Sequence, residues 1–314
     1  MTGTTTPRAG TVDRSGDERP GGEAAILTSG LRMRYGSRDV LDGLDLRVER
    51  SELFALLGPN GAGKSTTIEI LEGYRRRSAG QVTVLGQDPA RDDPAWRARI
   101  GIVLQSSRDH GRWRVGELLG HLARYYPDPY APAELLARVG LTDQADRTAA
   151  TLSGGQRRRL DVALGLVGRP DLLFLDEPTA GFDPEARRDF HALLRELRDE
   201  RATTILLTTH DLTEAQQLAD RIGILQAGRL TACGTLAELA EAARAESEVR
   251  WSDPDGTPRS LRTADPSRAV WDLHRRLGGP IPDLEVRRPS LEDTYLGMVG
   301  DARPAEPAEP AETP

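Results

Sequence analysis

One octapeptide, Gly58-Pro59-Asn60-Gly61-Ala62-Gly63-Lys64-Ser65, limits what this chain can fold into more than any other stretch. It follows Leu53-Phe54-Ala55-Leu56-Leu57, which reads as a buried strand, and leads into a helix from Ser65 to Leu71 that closes near Gly73. A loop with so little side chain, set between strand and helix, turns its backbone N–H groups inward around a phosphate chain, and the helix adds the positive end of its dipole. Lys64 is the single lysine of the chain; every other cationic side chain is arginine. Scattered Gly, Ser and Thr would place a lone lysine in G-x-x-x-x-G-K-[ST] only roughly one time in a thousand. Its ammonium, on a slim stem, reaches between two phosphates as a point charge, where a planar guanidinium is too broad.

The chain of 314 residues has room for one large domain or for a medium and a small one, and 38% hydrophobic content suffices for a core. No run approaches the ~20 apolar residues of a membrane span, and the first two dozen residues lack the apolar stretch of a signal peptide. A soluble protein is expected, and any role at a membrane requires a partner. The lone Cys233 excludes an intramolecular disulfide and a multi-cysteine metal site, which fits a reducing cytoplasm. A net charge of −7 argues against a nucleic-acid partner. The runs Arg75-Arg76-Arg77 and Arg157-Arg158-Arg159 read as solvated helix ends or faces.

Residues 1–23 are too poor in apolar side chains to offset the entropy of ordering and read as a disordered tail. Short alternating strands, Leu31 to Arg34 and Leu44 to Val48, flank a turn at Gly36-Ser37, with Tyr35 placed to pack or to stack on a purine. Val82-Thr83-Val84 and Ile100 to Leu104 are further strands, the latter ending at Gln105. Helical spacing over Glu117 to Tyr125 and Glu134 to Val139 then suggests a helical insert, about 106–170. Leu152-Ser153-Gly154-Gly155-Gln156 opens a helix in which Ser153 is a good N-cap and the glycines leave backbone N–H groups uncovered. This is either an ordinary capped start or a second set of phosphate contacts.

Leu172-Leu173-Phe174-Leu175 is an apolar strand that stops in Asp176-Glu177, and adjacent carboxylates at a core strand's end are costly unless a metal and a water use them. Alternation puts the two side chains on opposite faces, so they are free to have different tasks. Asp183 follows in a turn-rich loop, then a charged amphipathic helix from Glu185 to Glu200 and a strand, Thr204 to Thr209, that ends in His210. A hairpin around Ala227-Gly228 and a helix from Leu236 to about Ala245 come next. Beyond them, Val249 to Trp251, Arg268 to Leu277 and Leu284 to Val286 suggest a small α+β unit over 241–300, with a capping-box-like Ser290 and Asp293 near its end. Residues 301–314, with Pro-Ala-Glu repeated, read as a solvated disordered tail.

Tyr35, the glycine loop, Gln105, the LSGGQ stretch, LLFLDEP, Asp183 and His210 stand in the order and spacing of the ATP-binding cassette (ABC) ATPases, which the chain resembles over about 24–240. The resemblance implies an α/β fold: a P-loop NTPase core with a mixed, largely parallel sheet, an N-terminal antiparallel β subdomain and a helical subdomain. The small C-terminal α+β appendage is added to it. By that resemblance Tyr35 stacks on adenine with Val40 beside it. Gly58, Pro59, Asn60, Gly61, Ala62, Gly63, Lys64, Ser65 and Thr66 bind the nucleotide, Lys64 and the loop amides holding the β and γ phosphates. Ser65, Gln105 and Asp176 position Mg²⁺, Glu177 is the general base on the attacking water, and His210 steadies the γ-phosphate. Ser153, Gly154, Gly155 and Gln156 meet the nucleotide of the opposite subunit, and Asp183 links the two sites.

Gly181-Phe182, where many cassettes carry Ala-Leu, and the closing Pro289-Ser290-Leu291-Glu292-Asp293-Thr294-Tyr295-Leu296 resemble the ATPase subunits of ABC-2-type exporters, antibiotic-resistance pumps included. The resemblance implies an ATPase that closes as a homodimer around two MgATP and drives a separate integral membrane permease at the cytoplasmic face of the membrane. The alternative is a soluble cassette acting on ribosomes or DNA. Such proteins usually carry two motif sets or a long coiled-coil insert, and neither is present. A binding switch without turnover is disfavoured by Glu177.

Overall fold

A computed structural model describes residues 24–104, 110–179, 182–243, 246–253, 255–288, 291–292 and 294–295. Gln105, Gly181, Ser290 and Asp293, with both terminal tails, lie outside the described residues. The chain begins with β1 (Ala24–Tyr35), β2 (Arg38–Glu49), β3 (Leu53–Leu57), α1 (Lys64–Leu71), β4 (Ala79–Val84), α2 (Pro94–Arg97) and β5 (Ile100–Val103). Next come α3 (Val115–Ala123), α4 (Pro132–Arg138), α5 (Gly154–Leu166), β6 (Leu172–Asp176), α6 (Pro184–Arg201), β7 (Thr204–Thr209) and α7 (Leu212–Leu218). The remainder is β8 (Arg221–Gln226), β9 (Arg229–Gly234), α8 (Leu236–Ala242), β10 (Ser247–Ser252), β11 (Pro258–Thr263), α9 (Pro266–Leu277) and β12 (Glu285–Arg287).

A six-stranded sheet in the order β5-β6-β7-β3-β8-β9 is parallel except at the final pair. Its inner strands β3, β6 and β7 are buried along their whole length. That explains why they read as unbroken apolar runs rather than as alternations: both faces are covered. The period of two survives as a choice of core. Leu53, Ala55, Leu57, Leu173, Leu175, Ile205 and Leu207 enter one core, shared with α3 to α8. Phe54, Leu56, Leu172, Phe174 and Leu206 enter another, shared with α1 and a three-stranded antiparallel sheet, β2-β1-β4.

The antiparallel sheet keeps to its sequence pattern, with Ile26, Leu31 and Met33 inside and Arg32 and Arg34 outside. Where the β1–β2 register shifts after Thr28, the Thr28 hydroxyl donates to the Leu44 carbonyl at 2.8 Å and accepts from the Leu46 N–H at 2.9 Å. A side chain thereby satisfies backbone groups that the irregular ladder leaves open. Between β5 and β6 the described residues form helices α3, α4 and α5, with Pro132 at the first turn of α4, where a missing N–H costs nothing.

The last unit is a second antiparallel sheet, β11-β10-β12, packed through Val249 and Trp251 on Leu273 of α9. Strand β11 gives no sequence signal for a physical reason: five of its six residues are exposed and its one large apolar side chain is Leu261. Past β12 the chain returns to the main core, where Leu291 is fully buried and its N–H donates to Gln216 Oε1 at 3.4 Å. No helix among the described residues is long and apolar enough to cross a membrane.

Candidate functional site: a glycine loop beside paired carboxylates

The C-terminal ends of adjacent parallel strands are where loops converge in an open α/β sheet. Here β3 ends in the glycine loop, β6 in Asp176-Glu177, β7 in Thr209-His210 and β5 in Leu104. The glycine loop is held tightly at two points. A Cβ on Gly58 would stand 2.3 Å from the Leu225 carbonyl oxygen, so the loop leaves the sheet against β8 only without a side chain. Gly63, the N-cap of α1, has φ +109°, and a Cβ there would stand 2.7 Å from Leu41 and 3.1 Å from the Val40 carbonyl. Val40 thus touches the loop through its backbone, while Tyr35 lies at the β1–β2 turn, opposite Arg38 and 5.2 Å by ring centroid from the Arg75 guanidinium. Asn60, Gly61 and Ser65 are exposed, Ala62 is buried and Thr66 is half-buried.

Lys64 is buried, and its Nζ donates to the carbonyls of Gly58 at 2.8 Å and Pro59 at 3.3 Å. The same nitrogen lies 3.4 Å from Glu177 Oε1, and His210 Nδ1 lies 3.2 Å from that oxygen. Residues far apart in the chain, Lys64, Glu177 and His210, therefore converge on one carboxylate oxygen. Glu177 has φ +46°, a conformation that costs a non-glycine residue about 1–2 kcal/mol and marks the turn as one held in place by its surroundings. Its N–H donates to both the carbonyl and the hydroxyl oxygen of Thr208, at 3.1 and 3.2 Å. The neighbouring Asp176 pairs with Thr208 across the sheet and accepts a short hydrogen bond from the Thr208 hydroxyl, which fixes its carboxylate plane. Thr208 carries no signal in the sequence, because its importance comes from a partner on another strand.

Ser153 caps α5 in a reciprocal capping box, accepting from the Gln156 N–H at 3.3 Å while Gln156 Oε1 accepts from the Ser153 N–H at 3.1 Å. A Cβ built on Gly154 or on Gly155 would meet nothing within 4 Å. This chain's own packing therefore gives no reason for those two glycines. Asp183 is exposed and caps α6 through the Ala186 N–H at 2.8 Å. Phe182, beside it, stacks edge-on against Phe190 at 5.6 Å, which gives this position a large aromatic partner of its own.

One expectation is corrected. Arg157 is exposed, as a solvated run requires, but Arg158 is buried and all four of its carbonyl contacts lie around the site. The periodicity of α5 held the clue, since Arg158 shares a face with the buried Asp161 and Val162 rather than with Arg157.

Glu72, which ends α1, is buried with Oε2 lacking a hydrogen-bond partner. Burial first, then the charges of Glu69 and Asp176, push its pKa from an ordinary value near 4.5 up to about 7. The native state then holds this proton more tightly than the unfolded chain does. The stability associated with it is complete below the unfolded pKa and lost as pH rises towards 7. Glu72→Gln is expected to raise the unfolding free energy at pH 8 by about 1–3 kcal/mol, with the difference closing below about pH 5. Urea titrations of the nucleotide-free protein at the two pH values measure it; an equal difference at both would show that the carboxylate's charge is not the cause.

The family model described as ABC transporter matches residues 41–180. Over 90% of its length the chain is 39% identical to the daunorubicin resistance ATP-binding protein DrrA3 of Streptomyces coeruleorubidus, covering 98% of that protein. The chain belongs to the ABC transporter family. As an ABC ATPase it binds ATP, and its reaction is ATP hydrolysis. It is also 39% identical to a fluoroquinolones export ATP-binding protein of Mycobacterium tuberculosis (strain ATCC 25618 / H37Rv), over 89% of this chain and 94% of that one. Among solved structures, an ATP binding subunit of an ABC transporter matches 88% of this chain and 99% of its own, with a TM-score of 0.68 at 24% identity, a likeness of fold.

Proposed function

We propose that this ABC ATPase closes as a head-to-tail homodimer around two MgATP and drives a separate membrane permease that exports a drug-like or lipophilic compound. The observation that carries the reading is the convergence of Lys64 and His210 on Glu177 at the mouth of the glycine loop. The loop amides and Lys64 hold the β and γ phosphates, and Tyr35, with Val40 beside it, meets the adenine. A hard divalent cation suits the oxygens offered by Asp176 and Ser65, since Mg²⁺ takes one or two carboxylates and keeps several waters. Gln105 completes that set by the family resemblance. Bound there, Mg²⁺ would neutralise charge on the β and γ oxygens.

Glu177 then accepts a proton from the water whose oxygen attacks the γ-phosphorus, while the bond from that phosphorus to the bridging oxygen breaks and ADP leaves with the electron pair. His210, within reach of the same carboxylate, orients the water and steadies the γ-phosphate. Ser153, Gly154, Gly155 and Gln156 serve the opposite subunit's nucleotide, and Asp183 passes the state of one site to the other. The open space over both glycines supports a surface shaped for something outside this chain. The export named for relatives such as the fluoroquinolones export and Nod factor export ATP-binding proteins supports the permease partner and peripheral attachment at the cytoplasmic face of the membrane. Affinity purification from detergent-solubilised membranes tests that partner: the expected result is an integral membrane protein whose presence stimulates ATP hydrolysis. A chain recovered alone, or with ribosomes or DNA, would overturn it.

Because Lys64 is the only side-chain amine, an amine-reactive reagent should modify it and the N-terminus alone, and saturating MgATP should protect Lys64 at least tenfold. Bound phosphates cover the ammonium and exclude the reagent from it. Peptide mass spectrometry showing equal Lys64 labelling with and without MgATP would contradict the phosphate contact.

A further inference from the structure

Arg158 is the most heavily committed side chain near the site, and no step of ATP hydrolysis uses it directly. Its Nε donates to the Pro178 carbonyl at 2.8 Å, and Nη2 donates to the carbonyls of Asp176 at 2.9 Å and Glu177 at 3.3 Å. Nη1 donates to the carbonyl of Leu104, the residue immediately before Gln105. One guanidinium therefore gathers the main chain of three successive residues around the paired carboxylates and the root of the loop after β5. The nearest carboxylate, Asp161 on the next turn of α5, is 3.9 Å away, so the hydrogen bonds themselves go to backbone oxygens. Burial pulls the guanidinium's pKa down from its usual value, the cost of placing this charge where only carbonyl dipoles and partly screened acids compensate it. A planar fork of donors matches such a set of carbonyls, and a point charge does not.

The position is more informative than the number of bonds. Glu177 sits in a left-handed turn whose N–H is fixed by Thr208 of β7 and whose carbonyl is fixed by Arg158 of α5. The backbone of the proposed general base is thus clamped between the sheet on one side and the LSGGQ helix on the other. We propose that Arg158 is a positioning residue: it holds the Asp176–Glu177 turn in its reactive conformation and makes that conformation depend on how the helix headed by Ser153 is seated. Movement of α5 shifts the guanidinium, and the shift reaches the turn carrying Glu177 and the residue preceding Gln105 together. Nucleotide contacts made by the head of α5 are in this way reported to the carboxylate that activates water.

The inference rests on Glu177 being the general base, so the experiment reads both. Wild type, Arg158→Met, Arg158→Lys and Glu177→Gln are compared for ATP affinity by a fluorescent nucleotide, for kcat and KM, and for unfolding midpoint. Arg158→Met should lower kcat by about 10- to 100-fold with ATP affinity and KM within about threefold of wild type, since a misplaced base costs the chemical step and spares the phosphate contacts. Arg158→Lys, which keeps the charge and loses the fork, should fall between Met and wild type. Turnover near wild type in both Arg158 variants, beside an inactive Glu177→Gln, overturns the positioning role and leaves the base assignment standing. Full turnover in Glu177→Gln overturns the base assignment itself. Parallel loss of ATP affinity and kcat, or failure of both Arg158 variants to fold, assigns Arg158 to the framework alone and likewise overturns the proposal.

Discussion

Glu177→Gln is expected to retain ATP binding while steady-state hydrolysis falls by at least about a hundredfold, the size of effect that loss of a general base produces. The amide keeps the shape of the carboxylate and its N–H anchor on Thr208, but it cannot take the water's proton. It also removes the negative charge that stands 3.4 Å from Lys64, so the ammonium is freed for phosphate and ATP should bind more tightly. With closure intact and firing blocked, the ATP-bound dimer should accumulate, visible as a doubled mass in light scattering on adding MgATP. Hydrolysis at the wild-type rate in a preparation free of contaminating ATPases would remove Glu177 from the mechanism.

Mixing two inactive proteins should restore hydrolysis if the LSGGQ segment serves the partner's nucleotide. Lys64→Ala breaks the phosphate loop, and Ser153→Arg fills the surface that Gly154 and Gly155 leave open; each homodimer then carries a lesion at both sites. In a mixed dimer with sites formed in trans, both lesions fall in one site and the other is intact. Random pairing makes about half of the dimers mixed, so roughly a quarter of the wild-type rate should return if sites fire independently. If Ser153 acted on its own chain's nucleotide, every site in the mixture would carry one lesion and the rate would stay at background. A mixed dimer confirmed by differential tags, yet unable either to hydrolyse or to trap nucleotide, would count against the trans arrangement.

Both experiments depend on residues whose chemistry is contiguous in the chain, and that is why the sequence alone makes them legible. The glycine loop, Asp176-Glu177 and the head of α5 each place their functional atoms within a few residues of the turn that presents them. Most strand and helix identities are legible for the same reason, and α4 starts at Pro132 rather than Glu134, but β1 and β2 begin at Ala24 and Arg38 rather than Leu31 and Leu44, and the exposed β11 is missed. The features that stay hidden depend on register between distant segments. Thr208 matters because parallel pairing sets it beside Asp176, and Arg158 because α5 lies across the ends of β5 and β6. The same holds for Glu214 of α7, which accepts from the Thr179 hydroxyl at 2.8 Å and ties the loop after Glu177 to the helix after His210. An arginine in a basic run and a threonine in an apolar strand look ordinary until the tertiary contact is known.

The division of β3, β6 and β7 between two cores has a consequence for which changes this family of strands can absorb. Exchanging Leu173 for Ile or Val alters volume on one side only and leaves the other core untouched. Deleting a single residue from β6 is a different kind of event. Every side chain beyond the deletion would turn to the opposite face, sending residues from each core into the other and shifting the register in which Asp176 meets Thr208. The parity of the strand, odd against even, is therefore as much a condition of this fold as the apolar character of its residues. Point variation in β6 is expected to be permitted broadly and length variation not at all, so that insertions and deletions collect in the connections that lead to the strand.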